Sequence, residues 1–385
     1  MTGSERAAWI AWSALAEPMD ALAGALLTAV GPVDALGWLK EVDRQPTRGE
    51  AALLEIIGPE LDNRLLSRIV AASARWCQRL PRAEPAEHAR RATALGARVL
   101  TPADHGWPSA VGALGAAAPH ALYVLGSGDP AALLDRGVAI VGSRSSTSYG
   151  DHVAAELASG LAERGRAVVS GGAYGIDAAA HCGALAAGGA TMAVMAGGVD
   201  RWYPVGTSAL RDDVMRHGCV VSEVPPGWAP HRSRFLSRNR LIACAAGTVV
   251  VEAAHRSGAL STARHALALA RPVGAVPGAV TSAASAGAHA LVRGAEAVLI
   301  TSAADIEELV GPLHPDEEEV EGGGGPEFGS AQERAAYDGI AARGSSLEQI
   351  SCEAALSVRE ARRALAALSS AGLVVLDGGT YRRRS

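Results

Sequence analysis

Between residues 138 and 310 seven short apolar runs alternate with stretches of helical pattern. The runs cover 138–142, 167–170, 191–195, 219–222, 248–251, 273–276 and 297–300, and helical patterns lie near 148–164, 176–187, 207–217, 235–245, 260–270, 286–293 and 303–309. Strands spaced by helices of that length make βαβ units and a doubly wound, mostly parallel sheet. Right-handed crossovers put the loops that follow these strands on one edge, where open α/β sheets bind ligands. The first run, Val138-Ala-Ile-Val-Gly-Ser-Arg144, reads as a strand buried on both faces. Gly142 lets the chain leave the strand, and Arg144 puts a permanent cation at its carboxyl end.

The flanks differ. Residues 1–95 read as helical, with Trp9, Trp12, Leu15, Leu22, Leu26 and Leu27 at helical spacing. Gly31-Pro32 reads as a tight turn between two helices, a helix-hairpin-helix outline whose turn is either structural or a phosphate contact. Tyr123 to Leu125 is a further strand, with a turn from Gly126 to Pro130. An acidic and Gly-rich stretch, 312–330, reads as a flexible linker. In 331–385, three helices, the second and third opened by Ser346 and Ser357, precede a hairpin turning at Asp377-Gly378-Gly379, the order of a winged helix. Arg359, Arg362 and Arg363 share a face of its third helix; DNA and protein partners both fit such a face. The domains expected are thus 1–95, 96–311, the 312–330 linker and 331–385.

Composition narrows the chemistry. Net charge is −5, so a nucleic-acid site must be a local basic patch. Lys40 is the sole lysine among 35 basic residues, so arginine position carries more information than arginine identity. Cys77, Cys182, Cys219, Cys244 and Cys352 are scattered without CxxC spacing, which speaks against a disulfide framework or a structural metal site. No run reaches the roughly 18 uninterrupted apolar residues of a membrane span, and a cytoplasmic protein is expected.

Four strand-end segments carry the candidate chemistry. Gly142-Ser143-Arg144 leads through small hydroxyl residues into a helix, which suits a phosphate or simply a good N-cap. Ser170-Gly171-Gly172-Ala173-Tyr174-Gly175-Ile176-Asp177 brings glycine amides toward an anion. It is neither a Walker loop nor GxGxxG, so no nucleotide cofactor is expected. Asp177 and His181 share a helix face and read as a capping Asp and a buried His rather than metal ligands. The Gly197-Gly198 turn leads to Trp202-Tyr203-Pro204, which packs on a neighbouring loop or a second subunit, or stacks a base. The fourth segment, 231–240, holds Arg232, Arg234, Arg238 and Arg240 around Phe235, with no acidic residue between Glu223 and Glu252. Guanidiniums for phosphates and a ring for a splayed base are what single-stranded nucleic acid needs; a core role for Phe235 is the alternative. Arg238 and Arg240 fall on different sides of the helix, so one at least is expected outside. Asn239 caps or bridges loops, Ser257-Gly258 opens another helix toward the same edge, and Glu252 is expected to pin Arg144 or Arg240.

Taken together, Ala139-Ile-Val-Gly-Ser-Arg144, Ser170 to Asp177, Ser222-Glu-Val-Pro-Pro-Gly227, Phe235-Leu-Ser-Arg-Asn-Arg240, Val251-Glu-Ala253, Ser257-Gly-Ala-Leu-Ser-Thr-Ala263 and Ala275-Val-Pro-Gly278 resemble, in order, the DprA/Smf family of DNA-processing proteins. The resemblance implies an extended Rossmann-like domain that binds single-stranded DNA, forms homodimers and hands the strand to RecA in natural transformation or recombination. The sequence offers no paired-carboxylate metal site, no Ser-His-Asp order and no Walker loop, so a binding protein without catalysis is expected. By motif position the resemblance implies DNA contacts from Arg144 and the Arg238–Arg240 segment. The full set of expected contacts is Gly142, Ser143, Arg144, Ser170, Gly171, Gly172, Phe235, Arg238, Asn239, Arg240, Ser257 and Gly258. Leu236 stands where the family has proline, and His289 where it has asparagine. A nucleoside-monophosphate hydrolase of the LOG type is the alternative, although its Pro-Gly-Gly-x-Gly-Thr loop is missing before Gly247-Thr248. A winged-helix regulator is the third reading.

Overall fold

A computed structural model of the chain describes residues 3–57, 62–311, 328, 330–341, 344–377 and 379–383. The chain divides into two compact units, 1–313 and 314–385.

The first unit opens with helices α1 (Gly3–Leu15), α2 (Ala21–Arg44), α3 (Gly49–Ile57), α4 (Asn63–Cys77) and α5 (Pro85–Ala94). Trp12, Leu26, Trp38, Leu39, Leu53, Ile69 and Trp76 form the shared core of α1 to α4, whereas Ala92 of α5 packs with sheet residues such as Tyr123 and Val220. The helix, turn and helix expected at Gly31-Pro32 are present: α2 consists of two helical segments that meet at the non-helical Gly31 (φ 79°, ψ 165°). Pro32 is buried and its carbonyl accepts a hydrogen bond from Trp12 Nε1 at 3.2 Å, which favours the structural role. By length and composition alone α2 could cross a membrane. It nevertheless buries Leu26, Leu27, Ala35, Trp38, Leu39 and Val42, as a core helix does.

The sheet comprises β1 (Arg98–Leu100), β2 (Leu122–Gly126), β3 (Gly137–Val141), β4 (Ala167–Ser170), β5 (Thr191–Val194), β6 (Cys219–Ser222), β7 (Gly247–Val250), β8 (Val273–Ala275) and β9 (Val298–Leu299). Its order is β1-β2-β6-β5-β4-β3-β7-β8-β9. From β6 to β9 all pairs are parallel, whereas β1 and β2 add an antiparallel edge. Strands β3 to β7 are buried throughout, which is why they read as plain apolar runs. Between the strands lie α6 (Pro130–Asp135), α7 (Ser148–Glu163), α8 (Ile176–Ala186), α9 (Ala209–His217), α10 (Arg232–Ile242), α11 (Gly258–Ala268), α12 (Ala286–Arg293) and α13 (Ala303–Val310). Strand β1 and helix α6, each short, were not expected. Helix α10 starts three residues before the stretch predicted for it.

The strand order reverses beside β3. Chain progression runs from β3 through β4 and β5 to β6 on one side, and through β7 and β8 to β9 on the other. The loops after β3 and β7 therefore diverge and leave a crevice, the usual ligand position in such sheets.

In the second unit, α14 (Ala331–Asp338), α15 (Leu347–Glu353) and α16 (Val358–Ser370) precede the hairpin of β10 (Val374–Asp377) and β11 (Thr380–Arg383). Ser346 and Ser357 each form a capping box, as their spacing suggests. Leu365 and Leu368 are buried, while Arg359, Arg362 and Arg363 are exposed. Most of the expected 312–330 linker, and Gly378 of the hairpin turn, lie outside the described residues.

Candidate nucleic-acid interface

A cavity of about 640 Å³ occupies the crevice beside β3. Gly142 to Ser145 form one wall, Ser257 to Ala259 another, and α10 supplies Arg232, Phe235, Leu236, Arg238, Asn239 and Ile242.

The loop after β3 is held from behind. A Cβ on Gly142 would stand 2.5 Å from Ile176 Cγ1, so glycine is needed there for packing against α8. Ser143 Oγ accepts a hydrogen bond from Ser145 N–H at 3.1 Å, and Ser143 O from Ile176 N–H at 3.2 Å. Thr147 caps α7 and donates its amide and hydroxyl to Glu252 at 2.9 and 2.7 Å. Glu252 thus ties the loop after β3 to the end of β7. Its partner is a threonine and not Arg144 or Arg240, which corrects the expected ion pair. Arg144 itself is exposed, with its guanidinium carbon 4.8 Å from the Phe235 ring centroid. Phe235 is half-buried and has Tyr203 at 5.6 Å, so its ring stands at the cavity wall and not in the core. Trp202, by contrast, is buried against a neighbouring loop and donates to Thr207 Oγ1 at 2.9 Å.

The glycine loop has a different job from the one its composition suggests. Ser170 is fully buried and donates its hydroxyl to Ile140 O at 2.7 Å. The Gly171 and Ala173 amides point at Asp177 Oδ2, at 3.2 and 3.3 Å. Those donors already serve an internal anion, so an external phosphate has no claim on them. A Cβ on Gly171 would lie 2.4 Å from Arg238 Nη1 and 2.6 Å from Asp177 Oδ2, and one on Gly172 would meet Trp202 at 3.4 Å. Ser170, Gly171 and Gly172 therefore support the site from beneath and do not reach its open face. Burial raises the Asp177 pKa, with Arg238 opposing.

The arginine segment divides by helical phase. Arg240 is 1% exposed; it pairs with Glu223 at 2.7 and 2.6 Å and donates to Ala117 O at 2.8 Å and Ser237 O at 2.9 Å. It is a structural ion pair, which removes it from the expected DNA contacts. Arg234 is buried too, on Glu17 and over Trp228. Arg238 is buried at the cavity floor, donating to the carbonyls of Gly171, at 2.9 Å, and Val194, with its Nε unpartnered. Burial pulls its pKa down to about 10, against the pull of Asp177, so it stays charged near neutrality. The expectation that Arg238 and Arg240 could not both be buried fails, because carbonyl oxygens and Glu223 take up their donors. Asn239 donates to Gly258 O at 3.2 Å and bridges α10 to α11 as expected. Ser257 caps α11 through Ala259 N–H, and beyond Gly258 the space is open. Arg232, counted in the basic segment but absent from the expected contacts, is exposed on the cavity. Residues 232, 235, 236 and 239 follow the i, i+3, i+4, i+7 spacing of one helical face; a helix started at 232 would have found it.

His181 is fully buried, with Nδ1 2.7 Å from Thr191 Oγ1. That hydroxyl donates to Val168 O at 2.8 Å, so the imidazole proton sits on Nδ1 and Nε2 is bare and unpartnered. Burial, with Arg238 adding to it, lowers the pKa from 6.5 to about 4. The folded state favours the neutral ring, so this contribution to stability is complete above pH 6.5 and is lost as pH falls toward 4. Urea midpoints measured across that window should fall for the native chain and fall less for His181→Leu. Equal slopes would refute the assignment. Among the described residues no group of three or more His, Cys, Asp or Glu is placed to hold a metal ion.

An open, mostly parallel sheet whose switch-point cavity is walled by arginines, hydroxyls and an aromatic ring defines a doubly wound α/β protein. The chain belongs to the DNA recombination-mediator protein A family, whose profile matches residues 98–311. It is 42% identical over 393 residues to the putative DNA processing protein DprA of Mycobacterium tuberculosis, covering 97% of this chain and 93% of the relative. The DNA processing protein DprA of Streptococcus pneumoniae is 41% identical over 170 residues, 44% of this chain and 60% of the relative. The X-ray structure of DprA from S. pneumoniae superposes with a TM-score of 0.57 at 30% identity, covering 71% of this chain and 96% of that one.

Proposed function

We propose that the switch-point cavity binds single-stranded DNA, with Arg144 and Arg232 on phosphates and Phe235 as the platform for one unstacked base. The observation that carries this is Arg144 lying on the Phe235 ring at the mouth of the cavity. A cation and an aromatic face side by side suit a polyanion whose bases are free to leave the backbone. Ser143, Asn239, Ser257 and Gly258 complete the walls, and Arg238 gives the floor a buried positive charge. The protein is read as a binding protein that breaks no bond. Glu252, the carboxylate a hydrolase would need, is 1% exposed and engaged by Thr147, which counts against the hydrolase reading.

On this reading the chain acts in recombination or natural transformation, protects the strand and passes it to RecA in the cytoplasm, as a homodimer. The organisation that goes with it is a helical domain over 1–95, the DNA-binding domain over 96–311, a linker over 312–330 and a winged helix over 331–385. Three helices followed by a hairpin support the last assignment.

Titration of single- and double-stranded oligonucleotides across a range of salt tests the reading; equal affinity for both would refute it. Phe235→Ala should weaken single-strand binding by about 5- to 150-fold, the equivalent of losing ~1–3 kcal/mol of base stacking, and leave the salt slope unchanged. A lowered melting temperature with unchanged affinity would return Phe235 to a packing role.

A further inference from the structure

A second cavity, of about 380 Å³, adjoins the first. Leu236 lines both. The other walls are the loop Glu17, Pro18 and Met19, from the helical N-terminal region, and Ser261 and His265 on α11.

Two apolar side chains face solvent here, Met19 at 40% exposure and Leu236 at 49%. Met19 also holds a φ of 67°, which L side chains rarely adopt. Strain of this kind persists where surrounding structure imposes it, and it clusters at ligand-binding sites. The only carboxylate in the lining is already neutralised: Glu17 accepts hydrogen bonds from Arg79 at 2.6 Å and from Arg234 at 2.9 and 3.0 Å. The same contacts fix the loop to α10, so the Met19 side of the cavity is built against the helix that carries Arg232 and Phe235. His265 is kept below its ordinary pKa by burial and by Arg240, so its ring is a neutral hydrogen-bonding partner near pH 7. Arg234 also lines the cavity, but its donors are taken by Glu17 and by Ala229 O at 3.0 Å, so the lining offers apolar faces, hydroxyls and a neutral imidazole, the chemistry of a base site more than of a phosphate site.

We infer that this second cavity seats the next nucleobase of the strand held in the first, with Met19 and Leu236 as its apolar platform. The inference rests on the single-strand reading above. It makes the helical N-terminal region part of the DNA track.

The test uses the full chain, labelled oligothymidylates of two to eight nucleotides, and Met19→Gly. Glycine adopts a positive φ without strain, so the variant should melt at or above the native temperature. Affinity of the native chain should climb with oligomer length. Met19→Gly should flatten that climb, weakening the longer oligomers at least about fivefold while leaving the shortest unchanged. Arg144→Ala, in contrast, should weaken every length. Native-like binding by Met19→Gly at all lengths overturns the inference, as does an equal loss at all lengths with a lowered melting temperature. If the native chain bound no oligothymidylate, the single-strand reading itself would fall, which a normal Arg144-dependent affinity distinguishes from failure of the second cavity alone.

Discussion

Arg144→Ala should lower affinity for single-stranded DNA on the order of tenfold or more at low salt, and flatten the salt dependence by about 0.7 in log–log slope, one phosphate contact on a single strand. The side chain is exposed, and among the described residues no carboxylate stands within ion-pair distance of it. Its charge is therefore available to a ligand and does little for the fold. Its one resolved partner is the Phe235 ring, so some affinity is also lost through the weaker cation–π contact. Arg144→Lys separates the two contributions. It keeps the charge and so the salt slope, but loses the planar stack and falls between native and alanine in affinity. Melting temperature should stay close to native in both. Unchanged affinity of Arg144→Ala at low salt would remove the phosphate assignment.

Arg240→Ala should act in the opposite register, by costing about 3–5 kcal/mol of stability, because it strands the buried Glu223 without its counter-charge. In a unit of this size that is a drop on the order of 10 °C in melting temperature. Two further acceptors, Ala117 O and Ser237 O, lose their donor at the same time. Replacing both partners, Glu223→Leu with Arg240→Met, removes the orphaned charge and should recover part of the loss. DNA affinity of the residual folded protein should be near native. An unchanged melting temperature with lost DNA affinity would restore Arg240 to the interface.

These two arginines also mark the limit of what could be read from the chain. Alternation of apolar runs with helical patterns determined the parallel sheet, because a strand buried on both faces has no polar face to show. It also placed Gly142-Ser143-Arg144 at a strand end, and motif order placed the family. Arginine fate was another matter. Residues 232, 234, 238 and 240 are chemically alike and lie within one helix, yet only Arg232 faces open solvent. Helical phase separates them only once the helix start is known. Burial of a guanidinium depends on acceptors distant in sequence: Gly171 and Val194 for Arg238, Glu223 and Ala117 for Arg240. The glycine loop misled for the same reason. Its amides look free in sequence, and only the folded chain brings Asp177 round to occupy them.

The sequence by itself thus determined the layer architecture, the edge on which the crevice opens and the cation at its strand end, since these follow from local periodicity and strand ends. Tertiary structure alone decided which charges stay exposed and which are consumed inside. A buried charge is tolerated only with partners, and those partners come from other strands and loops.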